Sequence, residues 1–161
     1  MTFKGEYYNR LEKKHIEYLE TTLNEKITFA ASGYFSDFDV IIHDKKIEIK
    51  TECGGDAISN NLVIEIYNTK QKKDSGLYAT KSDLWSNTYY YNGQYIGLIE
   101  TFILKKFVER GIEKKVFPIK MNNRNGDNNA KLAIIKCKYF HNLIKEYGMR
   151  IIIEDPKTVK E

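Results

Sequence analysis

An α/β fold, with a central mixed β-sheet flanked by helices, is what this sequence predicts, and three patterns carry that expectation. Residues 4–24 set Tyr8, Leu11, His15, Leu19 and Leu23 close to one stripe at helical spacing, with Lys and Glu elsewhere. Residues 36–52, S-D-F-D-V-I-I-H-D-K-K-I-E-I-K-T-E, alternate branched and polar side chains at period two on both sides of a polar connection. Further on, short strand-like runs alternate with amphipathic stretches at 101–110 and 139–147. A chain of 161 residues is one domain, 1–161, by default, and is long enough for a real core.

Composition narrows the class. Hydrophobic content of 42% with 30% charged residues is ordinary for a soluble globular protein, and no apolar run approaches the length of a membrane span. The start, M-T-F-K-G-E-Y-Y, has no apolar signal region, so intracellular (cytoplasmic) residence is expected. Cys53 and Cys137 lack metal-ligand spacing and are expected to pack as reduced side chains. A net charge of +4 is compatible with a nucleic-acid partner without demanding one. The excess of Lys, Asn, Ile and Tyr suggests an AT-rich genome, phage and viral genomes included.

Residues 36–52 read as two antiparallel strands joined by a tight turn at His43-Asp44-Lys45-Lys46. With Asp44 and Lys45 as the loop, Val40, Ile42, Ile47 and Ile49 share a core face. Asp39, Ile41, Glu48 and Lys50 share the other, with Asp39 opposite Lys50 and diagonal to Glu48. Asp-Lys is not a preferred turn pair, so a slipped register stays open; a slip of one residue would scatter the polar set. Two carboxylates and a lysine so arranged suit metal-dependent phosphodiester hydrolysis. Oxygen ligands hold a divalent cation such as Mg²⁺, and an amine orients or deprotonates a water. The plainer alternative is a solvated strand face with a cross-strand ion pair. Glu-x-Lys recurs at Glu12 to Lys14 and at Glu113 to Lys115, but only Glu48 and Lys50 lie on an expected strand that follows an aspartate-led strand.

The remaining elements follow in order. Residues 27–31 form a short strand ended by Ser32-Gly33, and after Glu52 comes a glycine-containing loop. Residues 62–67 form a strand in which Leu62, Ile64 and Ile66 alternate with Val63, Glu65 and Tyr67; Glu65 is either a further ligand or an edge charge. Lys70, Lys72 and Lys73 make a basic cluster that either follows a phosphate backbone or is simply solvated. Thr80-Lys81-Ser82-Asp83 looks like a helix start, with Thr80 as N-cap and free amides that would attract a phosphate near Lys81. Asn92-Gly93 between Tyr89-Tyr90-Tyr91 and Gln94-Tyr95-Ile96 marks a hairpin whose tyrosines either stack on bases or, as the favoured reading, pack across strands.

Residues 101–110 form an amphipathic helix with Phe102, Leu104, Phe107 and Val108 apolar and Gly111 as its stop. A basic run leads to a polar loop in which Arg124 is a candidate phosphate contact or a solvated tip. Residues 131–137 are a strand, 139–147 a helix stopped by Gly148, and 149–153 a last strand.

The spacing Asp39, then Glu48-Ile49-Lys50, resembles the PD-(D/E)XK nuclease superfamily, with Phe38 standing where a proline usually precedes the aspartate. Ser75-Gly76, Thr80, Asp83 and Trp85 are similar to S-G-x-x-x-T-x-A-D-[YW] of a small phage-type, Holliday-junction-resolvase-like subgroup. There that pattern follows an I-E-[IY] strand like Ile64-Glu65-Ile66, and the polar loop around Arg124 resembles the subgroup's G-G-D-x-N-x-A. The resemblance implies a restriction-endonuclease-like sheet with the first helix on one face and later helices on the other. It implies a Mg²⁺-dependent deoxyribonuclease, with Mn²⁺ as substitute and DNA as partner. Asp39, Glu48 and the Ile49 carbonyl would hold the metal, and Lys50 would place the water. Glu12, with Glu6 as rival, would add a carboxylate from the first helix, and a homodimer is an option. A binding protein of the same fold without catalysis, an RNA-cleaving endonuclease and a protein-binding module remain as alternatives.

Overall fold

The computed structural model describes residues 3–30, 37–51, 60–122 and 129–153; the side chains of 3–11 and of 122 lie outside that description. The chain opens with helix α1 (Phe3–Leu23), then strands β1 (Phe29–Ala30), β2 (Val40–Ile42) and β3 (Lys45–Lys50). Strands β4 (Asn61–Asn68) and β5 (Lys73–Asp74), a 3₁₀ turn (Gly76–Tyr78), β6 (Leu84–Tyr90) and β7 (Gln94–Glu100) follow. Helix α2 (Thr101–Glu113), β8 (Ile119–Asn122), β9 (Ala130–Lys136), helix α3 (Cys137–Tyr147) and β10 (Met149–Ile153) complete it.

The α/β class holds, with one addition: the strands form two sheets rather than a single central one. The first has six strands in the order β1-β2-β3-β6-β7-β10, and the second four in the order β5-β4-β9-β8. In the first sheet only β3 and β6 run parallel, which makes it mixed. Their crossover consists of β4, β5 and the 3₁₀ turn, and it is these strands that build half of the second sheet. Residues 62–67 were therefore rightly expected as a strand, while their sheet partner, β9, lies some seventy residues away in sequence, beyond the reach of local periodicity.

Period-two alternation splits the six-stranded sheet between two cores. Val40, Ile42, Ile47, Ile49, Ile96, Leu98 and Ile151 pack with Leu19 of α1 on one face. Trp85, Tyr89 and Ile99 point the other way, into a larger cluster with Leu62, Ile64 and Ile135 of the second sheet, Leu104 and Val108 of α2, and Phe140 and Ile144 of α3. The first helix thus lies on one face and the later helices on the other, as expected. Each fully buried aliphatic side chain of this kind contributes about 1.5–3 kcal/mol through removal from water.

Three local expectations are corrected. The 43–46 turn has His43 and Asp44, not Asp44 and Lys45, as its two loop residues, so Val40 pairs with Ile47 and Ile42 with Lys45. Both loop residues have positive φ, 53° and 57°, a region that Asp and His enter more readily than most residues. Secondly, Thr80 to Asp83 start no helix. They lead straight into β6, because Asp83 bonds Lys46 twice: its N–H donates to the Lys46 carbonyl at 2.7 Å, and its carboxylate accepts the Lys46 N–H at 2.9 Å. Thirdly, Gly111 does not stop α2, which runs on to Glu113. Gly111 is buried, and a Cβ there would come within 2.1 Å of the Phe117 ring, so the position needs glycine for close packing. On the same helix Phe102 is exposed, with the Lys106 ammonium 4.5 Å from its ring.

The Asn92-Gly93 hairpin is present, with Tyr90 paired to Gln94. Three of its tyrosines pack: Tyr89 is buried edge-on against Phe140, and Tyr89, Tyr91 and Tyr95 all lie against His141. Among the described residues, no helix is long and apolar enough to cross a membrane.

Candidate active site

The hairpin β2–β3 carries the candidate residues at its open end. The turn offset moves partners by two, an even number, so every side chain keeps the face the alternation assigned to it. What changes is the neighbour. The strand pairing ends at Val40 and Ile47, and Asp39 just beyond it adjoins Glu48 rather than pairing with Lys50: its N–H donates to the Ile47 carbonyl at 3.0 Å and its carboxylate accepts the Ile49 N–H at 2.7 Å. Asp39 thereby grips the backbone on both sides of Glu48.

Glu48 is buried and held by two side chains. The Lys50 Nζ lies 3.1 Å from one carboxylate oxygen, and the Thr80 hydroxyl lies 3.4 Å from the other. Thr80 has one hydroxyl proton to share between Glu48 and the Asp37 carbonyl at 2.9 Å, while its oxygen accepts the Ser82 N–H. Parallel pairing sets Glu48 beside Trp85 and Lys50 beside Asn87, and the Lys50 ammonium sits 5.8 Å from the Trp85 ring. Phe38 packs against Phe29 at 5.7 Å between ring centres.

Electrostatics tie in α1. Burial pushes the Glu48 carboxyl above its ordinary range; Lys50 pulls it back and Asp39 pushes it further up. Burial also raises Asp39, against the Ile49 N–H and Lys50, which favour its charged form. Glu12 is raised by burial and by the charge of Asp39, with Lys50 opposing. Glu12 on α1 therefore feels the charges of both Asp39 and Lys50. The side chain of Glu6 lies outside the described residues.

Oxygen donors under desolvation suit a hard divalent cation, since a positive charge between Asp39 and Glu48 relieves both raised carboxyls. Among the described residues, no three or more His, Cys, Asp or Glu side chains form a group able to hold a metal by themselves. A cation held by Asp39 and Glu48 would complete its shell with waters, as Mg²⁺ commonly does.

The expected basic contacts divide. Lys81 adjoins the site: its N–H donates to the Asp37 carbonyl, and its ammonium lies 3.8 Å from the Asp37 carboxylate. Lys70 and Lys72 lie on the β4–β5 turn and Lys73 on β5, all exposed at the edge of the second sheet rather than on the sheet that carries the carboxylates. Arg124 lies outside the described residues, as does the loop after Glu52 with Cys53. Glu65 is exposed on the second sheet and takes no part in the environment of Asp39 or Glu48.

Two contributors had no assigned role in the sequence. Thr80, expected as a helix cap, is a partner of Glu48; its place in the Ser75-Gly76 to Trp85 pattern was the available signal. His15 is buried, with Nδ1 3.0 Å from the Thr51 hydroxyl and Nε2 2.7 Å from that of Ser86. It is thus a buried, hydrogen-bonded histidine on the apolar stripe of α1, and nothing local pointed to Thr51 or Ser86. Compared with known proteins, the chain matches no family model, no curated protein and no solved structure.

Proposed function

We propose that this chain is a metal-dependent nuclease that hydrolyses phosphodiester bonds in DNA, an endonuclease for duplex or branched substrate on a restriction-endonuclease-like fold. One observation carries the reading: at the open end of one hairpin Asp39 bonds the backbone on both sides of Glu48, Lys50 is bonded to Glu48, and the charges of Asp39 and Lys50 are felt at Glu12. Asp39 and Glu48 would hold Mg²⁺, or Mn²⁺ in its place, with the Ile49 carbonyl as a further oxygen. When bound, such an ion supplies positive charge at the scissile phosphate and acidifies water.

The chain's own groups do the rest. Thr80 and the Ile49 N–H hold the two carboxylates in place. Lys50 has an amine to orient the attacking water and to stabilise charge on the phosphate. Lys81, whose N–H and ammonium both meet Asp37, suits a backbone phosphate; Lys70, Lys72 and Lys73 suit diffuse, salt-sensitive attraction from the second sheet.

A second reading rests on the 3.1 Å Lys50–Glu48 pair, which by itself is a structural ion pair that needs no metal. Supercoiled plasmid and a synthetic four-way junction, incubated with Mg²⁺, Mn²⁺ or EDTA, separate the two. Metal-dependent cutting that disappears in Asp39→Ala and Lys50→Ala supports the nuclease, and the ratio of junction to plasmid cleavage ranks branched against linear DNA. Cutting that survives both substitutions sinks the assignment. Cutting of RNA alone moves the substrate class, and salt-sensitive DNA retention without cutting favours a binding protein.

A further inference from the structure

We infer that His15 is the positioning residue of this site: its imidazole, bonded at once to Thr51 and Ser86, sets the height and rotation of α1 and so fixes how far Glu12 stands from Asp39 and Lys50. The inference deepens the reading of the Asp39–Glu48 site and rests on it for its functional meaning.

The argument is geometric. Hydrophobic contact is non-directional, so Leu19, Ile16, Tyr18 and Leu23 hold α1 against the sheet without choosing its axial position strongly. Hydrogen bonds do choose. His15 is 2% exposed and reaches the residue just past the end of β3 and the middle of β6. Thr51 directly follows Lys50 at the end of β3, and Ser86 on β6 is the register partner of Ile49. Both partners are hydroxyls, which donate or accept, so a neutral imidazole is satisfied in either tautomer. Glu12 lies three residues earlier, about 4.5 Å along the helix and on the same side.

A slip of one residue along α1 would carry Glu12 away from Asp39 and leave the imidazole and two hydroxyls to find new partners in a buried setting. The other polar ties of this region sit at the far end of the helix. Glu20 accepts the Ile27 N–H there, and the Leu23 carbonyl accepts from His43. Among the described residues, His15 is the polar tie that meets the sheet at the level of Lys50.

The test is a double-mutant cycle between positions 12 and 15, read first by thermal melting at pH 7.5 in EDTA. A carboxylate that is desolvated and feels the charge of Asp39 is destabilised, so Glu12→Gln is expected to raise the melting temperature by about 2–4 °C when His15 is present. In the His15→Leu background the gain should shrink to under about 1 °C. An equal gain in both backgrounds overturns the inference. Should His15→Leu fail to melt cooperatively, Ser86→Ala and Thr51→Val each remove one of the two bonds and take its place in the cycle.

The same four proteins are then titrated with Mn²⁺. His15→Leu is expected to weaken the apparent Mn²⁺ affinity about tenfold, with no further loss when added to Glu12→Gln. A purely structural role would lower stability without this non-additivity. A wild-type protein indifferent to Mn²⁺ overturns the metal-site reading while the metal-free cycle still decides the role of His15.

Discussion

Asp39 brackets Glu48 on a hairpin whose turn lies at His43-Asp44, since Asp39 bonds the backbone of both residues flanking Glu48. The two carboxyls are raised by burial and the arrangement concentrates negative charge at one strand end.

That charge should be visible in stability. A carboxyl whose folded pKa is raised contributes stability that is complete below its unfolded pKa and is lost as pH rises through the folded value. Above that window the metal-free protein carries the cost. Glu48→Gln, and Asp39→Asn, which keeps an oxygen for the Ile49 N–H, should therefore raise the melting temperature at pH 7–8 without metal. Excess Mg²⁺ or Mn²⁺, at about a hundred times its dissociation constant, should stabilise the wild type by about 2.7 kcal/mol. Neither variant should respond. Melting curves with and without metal check both halves.

His15 titrates in the opposite sense. Burial lowers its folded pKa from 6.5 to about 3. The unfolded chain takes up this proton and the folded protein does not, so the contribution is present above pH 6.5 and lost as pH falls towards 3. The slope approaches about 1.4 kcal/mol per pH unit inside that window. The carboxylates act against it at the acidic end. Urea melts from pH 4 to 8 should show the acid limb of the wild type steeper than that of His15→Gln by about one proton.

Thr80→Val keeps the shape of the side chain and removes the hydroxyl. The variant should lose about 1–3 kcal/mol, because the Ser82 N–H and one Glu48 oxygen are left without a partner. Thr80→Ser should retain most of that stability. If the site reading holds, cleavage by Thr80→Val falls more than its stability loss explains, and Thr80→Ser restores it. Denaturant melts beside single-turnover cutting separate the two effects.

Gly76 has φ 54°, and a Cβ there would lie 2.2 Å from the Glu65 carbonyl oxygen. Gly76→Ala should cost about 1–2 kcal/mol in backbone strain and about 1–3 kcal/mol in overpacking. Gly93→Ala, at the half-buried hairpin tip with φ 143° and the Tyr95 Oη 3.3 Å from the added Cβ, carries backbone strain without so close a clash and should cost less. Chemical denaturation of the two variants tests the order.

Much of this was legible in the chain itself, because binary patterning acts over a few residues. Alternation at 40–42 and 47–49 assigned the faces of β2 and β3, and these survive the displaced turn since a shift of two preserves parity. The stripe of α1 put His15 and Leu19 inward, and Asn92-Gly93 marked its hairpin. The same patterns placed Asp39, Glu48 and Lys50 on one surface. What the tertiary structure alone decided are relationships between distant segments. Asp83 bonds Lys46 and pulls the Thr80 segment into a parallel strand, overriding a local preference for a helix cap. Residues 61–74 pair with 119–136 into a second sheet that alternation cannot assign to a partner. Gly111 looks like a helix stop until Phe117 occupies the space above it. Thr51 and Ser86 become partners of His15 only when α1 docks on two strands, since a hydrogen bond in a protein interior depends on which buried groups meet, and local sequence carries no record of that.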